Sequence, residues 1–129
     1  MAYVLIGIGG AIGSIGRYWA SGVVGNLSGG VFPFGTMFVN VTGAIVIGFF
    51  AAFTGPDGRM FVGTSARQFV MTGICGGYTT FSTFSLETMN LAREGEWLYA
   101  GLNAILSVAF CLIAVWLGSV AAEALGRGV

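Results

Sequence analysis

The sequence predicts an all-α membrane protein with four transmembrane helices per protomer, and two observations carry that prediction. Of 129 residues, 56% are hydrophobic and only 8% are charged, against the roughly 25% charged that an ordinary soluble domain carries. Polar or glycine-rich joints divide the chain into four long stretches, giving expected spans at 3–24, 35–53, 69–91 and 97–123 in a single domain. A span needs about 20 residues. Net charge is zero and neither Lys nor His occurs, so a basic nucleic-acid face and histidine-based metal or acid/base chemistry are excluded.

The first stretch is interrupted only by Arg17. That charge lies near its far end and no basic residue precedes the apolar run, so a span is expected here rather than a cleaved leader. The joint "GNLSGGVFP" precedes the second stretch and "TGPDGR" follows it, both rich in chain breakers. Trp19, Trp97 and Tyr99 fall near span ends, where amphipathic rings favour the headgroup region. Cys75 and Cys111 each lie in an apolar run without zinc-like spacing and are expected to be packing residues. The cluster "GIGGAIGSIG" has neither the spacing nor the preceding strand of a nucleotide-binding loop.

Four spans place both termini on one side, with Arg59, Arg67 and Arg127 beside them and Arg17 and Arg93 opposite. Orientation follows the arginine and lysine bias of short loops, and this bias is almost balanced. Insertion both ways up, and hence an antiparallel pair of copies, is the resulting hypothesis; tagged termini found all on one face would sink it. Size agrees with an assembly, because four helices fill their own centre with side chains. Gly9 and Gly13, and Gly73 and Gly77, have the four-residue spacing that lets helices approach closely in lipid. With 23 glycines, such pairs also arise by chance.

Polar groups in hydrocarbon cost free energy and need a reason. At about 100° per residue, Thr80, Thr83 and Glu87 share one face of the third span, with Phe81 and Phe84 alongside. Thr36, Asn40 and Gly43 share a face of the second span, and Asn103, Ser107 and Cys111 recur on the fourth. A lone Ser85 or Thr72 is explained by a bond to its own backbone. Stripes on three helices are not. Apart from Glu87 the stripes hold no acid, which disfavours a carboxylate-ringed cation path. Hydroxyl and amide donors and the positive edge of a phenyl ring suit a small anion. Gly76 and Gly77 can interrupt the third helix, leaving carbonyls that could hold a cation, or they can mark a kink or close crossing.

Three segments, "GGYTTFSTFSLE" (76–87), "GTMFVNVTG" (35–43) and "GGAIGSIGRYW" (9–19), resemble the bacterial fluoride channel family known as Fluc or CrcB, and the resemblance covers essentially the whole chain. It implies an antiparallel, dual-topology homodimer in the bacterial inner membrane, with a third helix broken near its middle and two fluoride pores along the interface. Toxic cytoplasmic fluoride would leave passively, down its electrochemical gradient, without enzymatic chemistry. By similarity, Phe81 and Phe84 line the pore and Asn40 donates to fluoride. Ser82, Thr83 and Glu87 resemble the polar track, with Ser107 contributed by the fourth helix. The carbonyls of Gly76 and Thr79 match those that bind a structural Na+ at the dimer two-fold, and Arg17 matches a vestibule arginine. Some family members have tyrosine where this chain has Asn103.

Two other classes compete with that reading. A small multidrug exporter is also a short antiparallel dimer, but its proton coupling needs an acid in the first span, and none lies between Tyr3 and Val24. Proton-driven uptake of a cationic dye would discriminate in its favour. A non-transporting assembly subunit accounts for the glycines but gives no reason for three polar stripes.

Overall fold

The computed structural model describes residues 1–127, apart from the side chain of Arg127, which lies outside the described residues together with that residue's expected share in the charge balance. The described chain is all α-helical apart from its joints. Helix α1 spans Ala2–Ser28 and ends at Gly29, whose φ of 60° turns the chain while its N–H bonds the Gly25 carbonyl at 3.0 Å. Only glycine adopts that left-handed conformation without steric cost. Helix α2 spans Phe34–Phe53 and starts after Pro33, a residue whose missing N–H suits a helix entrance.

The third expected span is two helices. Helix α3 runs over residues 64–78, beginning as α-helix at Thr64–Gln68, widening to a π-helix at Phe69–Cys75 and closing at Gly76–Tyr78. Thr79 and Thr80 are extended, and helix α4 resumes at Phe81–Arg93. The long helix α5, Trp97–Arg127, follows a turn at Gly95, whose φ is 82°. Two helices, Phe34–Phe53 and Trp97–Gly126, are both long and apolar enough to cross a membrane.

Glycine contacts set the arrangement. Helix α3 lies on α1, where a Cβ on Gly77 would stand 2.6 Å from the Gly10 carbonyl oxygen and one on Gly73 would stand 3.0 Å from the Gly9 Cα. The four-residue glycine spacing therefore does mark a backbone-to-backbone crossing. On the other side α2 packs against α5, with Gly118 against Ile45 and Phe49 of α2 and Gly48 against Val115 of α5. Helix α4 lies against α5. The break thus sends the two halves of the third span to different neighbours.

Arginines tie the ends of these helices. Arg67 donates from Nε to Thr54 Oγ1 at 3.1 Å and from Nη2 to the Ala51 carbonyl at 3.2 Å, at the C-terminal end of α2. Arg59 Nη1 donates to the Leu125 carbonyl at 3.0 Å near the end of α5. Both cations sit where helix carbonyls lack intrahelical donors and the helix dipole is negative.

Candidate functional site

The site is organised around the break between α3 and α4, which does not fall where local sequence suggests. Gly76 and Gly77 are helical, and the interruption lies at Thr79 and Thr80. Asn40 of α2 accounts for this displacement. Its Oδ1 accepts from the Thr80 N–H at 2.7 Å and its Nδ2 donates to the Thr80 carbonyl at 3.0 Å. One side-chain amide thus replaces both backbone partners that Thr80 would have in a continuous helix, which is the condition for irregular backbone at membrane depth.

Thr80 then starts the next helix. Its Oγ1 accepts from the Thr83 N–H at 3.1 Å as an N-cap and lies 3.1 Å from Thr83 Oγ1 and 3.2 Å from Ser82 Oγ. The N-cap contact satisfies one of the orphan donors in the first turn of α4. The other half of the break is held by Arg17, whose Nε donates to the Gly77 carbonyl at 3.1 Å, and by Tyr78, whose hydroxyl is 2.9 Å from Thr42 Oγ1.

Beside the break is a groove of about 360 Å³ lined by Asn40, Thr80, Phe81, Phe84 and Ser107, with further apolar wall from α2 and α5. The Phe81 and Phe84 rings lie 5.4 Å apart, tilted by 49°. Phe84 is 9% exposed and Phe81 76%, so one ring belongs to the protomer's interior while the other faces outward. The groove is therefore closed on one side by this chain and open on the other. Four of the residues expected along the pore, Asn40, Phe81, Phe84 and Ser107, meet here.

Thr79, expected as a Na+ ligand, also lines this groove, and the remaining expected residues lie outside its lining. Ser82 and Thr83 join the groove only through Thr80. Glu87, one turn further along α4, lines a separate cavity of about 950 Å³ between α1, the segment 30–36 and α4. There Glu87 Oε1 accepts from Thr36 Oγ1 at 2.7 Å, while Oε2 is buried without a partner among the described residues. Arg17 is not among the residues that line either cavity. Gly76 lies in the last helical turn before the break and Thr79 in the break itself, and the donors that would bond their carbonyls in a continuous helix are diverted: the Thr80 N–H goes to Asn40, and the Thr83 N–H to Thr80 Oγ1.

Two residues central to this geometry carry little signal in the sequence. Thr80 belongs to the expected stripe but not to the expected pore, yet it is the pivot of the break. Thr88, which no stripe includes, accepts from Asn103 Nδ2 at 2.8 Å and so connects α4 to α5. Asn103 is 2% exposed and inside the protomer. Among the described residues no group of three His, Cys, Asp or Glu side chains is placed to hold a metal ion.

Residues 4–119 match the family described as CrcB-like protein, Camphor Resistance (CrcB). Among similar curated proteins, the "Fluoride-specific ion channel FluC" of Rhodospirillum rubrum is 55% identical over 129 residues, covering 100% of both chains. Proteins of the same name from Methylocella silvestris and Opitutus terrae are each 55% identical, over 127 residues (98% of this chain and 97% of the relative) and 123 residues (95% and 93%). With a family match over nearly all its length and relatives this similar end to end, the chain is an all-α membrane protein belonging to the CrcB family.

Proposed function

We propose that this protein is a fluoride-selective channel of the bacterial inner membrane that lets cytoplasmic fluoride leave down its electrochemical gradient. The observation that carries the proposal is the half-open groove in which Asn40, Phe81 and Phe84 converge at a helix break, in a chain similar throughout to channels named for fluoride. The protein works as a conduit and forms no covalent intermediate.

The groove's chemistry suits a small anion. Asn40 Nδ2 has two protons and gives one to Thr80, so the second is available to a passing ion. Phenyl edges carry the positive part of the ring quadrupole, and the N-terminal end of α4 adds a positive dipole end at the break. None of these carries a full charge, so an anion can exchange its water shell for them and still depart. Fluoride gains more than chloride from short hydrogen bonds because it is smaller. Ser82, Thr83 and Glu87 continue the path toward the wide cavity, and Arg17 contributes positive potential near the break.

The outward face of Phe81 supports an assembly in which a second copy closes the groove, and an antiparallel homodimer gives two such pores along its interface. Gly76 and Thr79 are the residues that would hold Na+ at the two-fold. Their carbonyl oxygens stand at the C-terminal end of a half-helix, where unwound backbone can coordinate such an ion, and the diverted N–H groups leave them short of donors. The ion would supply a positive charge that ties the two copies together.

The test is fluoride efflux from liposomes holding the purified protein, read with a fluoride electrode, with valinomycin carrying potassium and a parallel chloride trial. Fast fluoride release with little chloride release is expected. Equal release of both anions would remove the selectivity argument, and no release of either would overturn the channel reading.

A further inference from the structure

We infer that Asn103 is a positioning residue that fixes the direction of the Ser107 hydroxyl proton, so that Ser107 presents lone pairs rather than a donor to the groove. The inference rests on the channel reading above and concerns how tightly that groove holds an anion. It starts from a group that can only accept. The Phe84 carbonyl takes the proton of Thr88 Oγ1 at 2.8 Å, and a hydroxyl has one proton to give. Thr88 must therefore be the acceptor toward its other neighbour, which is Asn103 Nδ2 at 2.8 Å.

This sets the orientation of the Asn103 amide. With Nδ2 turned to Thr88, Oδ1 faces Ser107 and takes its proton at 3.1 Å. Asn103 and Ser107 are 2% and 5% exposed, so water does not compete for these bonds, and bonds in such a setting polarise one another. Ser107 also lines the groove beside Asn40, Phe81 and Phe84. What it offers there is oxygen lone pairs. With this proton withheld, the anion meets the Asn40 amide and ring edges without an added hydroxyl donor, which favours departure over trapping.

If the relay is broken, the proton is released. Asn103→Leu removes its acceptor outright. Thr88→Val removes the anchor of the amide, which can then turn Nδ2 toward Ser107 and drive the hydroxyl proton into the groove. The experiment measures fluoride efflux from liposomes across a range of internal fluoride, for the wild type, both single variants, Ser107→Ala, and each variant combined with Ser107→Ala. Protein that elutes as the wild type does in size-exclusion chromatography is used.

Asn103→Leu and Thr88→Val should each lower the half-saturating fluoride concentration by about tenfold, the scale of one hydrogen bond to a charged group. Adding Ser107→Ala should abolish that shift, leaving both double variants with the value of Ser107→Ala alone. A purely structural role for Asn103 predicts the opposite, a defect that persists or adds when Ser107 is removed, and that result would overturn the inference. So would the absence of a shift in both relay variants. If Asn103→Leu does not fold, Thr88→Val decides the matter by the same comparison. A wild type that releases no fluoride would overturn the channel reading and this inference together, whereas a conducting wild type with additive variants would overturn this inference alone.

Discussion

Replacing Asn40 by Leu should damage the helix break before it damages anything else. The side-chain amide makes two bonds to Thr80, accepting from its N–H at 2.7 Å and donating to its carbonyl at 3.0 Å. Leu has a similar size and can do neither. A part-buried peptide group left without a partner costs about 1–3 kcal/mol, so the two together cost about 2–6 kcal/mol. Partial recovery is available if Thr80 N–H returns to the Gly76 carbonyl and the helix straightens, and this puts the expected loss toward the lower end while moving Phe81 out of register. Asn40→Asp separates the two bonds: its carboxylate still accepts from the Thr80 N–H but cannot donate to the carbonyl, so about half the loss is expected. The assay combines thermal unfolding in detergent, amide hydrogen exchange at Thr80 and fluoride efflux. Asn40→Leu should unfold earlier, exchange Thr80 faster and lose most of its flux, while Asn40→Asp should keep Thr80 protected and still lose flux. An Asn40→Leu protein with unchanged midpoint, exchange and efflux would refute the reasoning from the break to the groove.

Phe81→Ile should largely abolish fluoride efflux without unfolding the protomer, because Phe81 is 76% exposed there; unaltered efflux from a correctly assembled variant would remove the ring from the path. Gly77→Ala should cost on the order of 1–3 kcal/mol through overpacking, since the new Cβ would stand 2.6 Å from the Gly10 carbonyl oxygen, and an unchanged thermal midpoint would show that α1 and α3 can separate freely. Arg67→Leu removes the bonds to Thr54 and Ala51 and should cost up to about 2 kcal/mol at the α2 C-terminus, measured as faster amide exchange in the loop after Thr54.

The helices and the members of the groove were legible because their signals are periodic and local. A long apolar run bounded by breakers reads as α2 or α5 whatever surrounds it, and a polar residue recurring at helical spacing marks Asn40 and Ser107 before any contact is known. The glycine crossings were legible in kind, since Gly73 and Gly77 meet Gly9 and Gly10 as their spacing suggests. What spacing does not encode is the direction and partner of each polar group. Thr88 looks like an ordinary threonine bonded back to its own helix at the Phe84 carbonyl, and only the arrival of Asn103 from α5 turns that bond into part of a connection. Arg17, matched by resemblance to a vestibule arginine, donates from Nε to the Gly77 carbonyl, a partner that spacing alone does not encode.

The position of the break shows why such partners matter more than local propensity. Glycine lowers the cost of leaving the helix, but it does not supply what the freed backbone groups need. Gly77 stays helical because its small size is used against α1, where a straight, close approach requires regular backbone, and Gly76, which makes no such approach, stays helical beside it. Thr79 and Thr80 carry Cβ-branched side chains that tolerate extended conformations, and Asn40 stands opposite them with a donor and an acceptor suitably placed for one peptide unit. The cheap residue for a break and the residue that breaks are therefore different. The same amide that stabilises the interruption also lines the groove, so a substitution that removes it should lose conduction and break stability together, whereas Phe81→Ile should lose conduction alone.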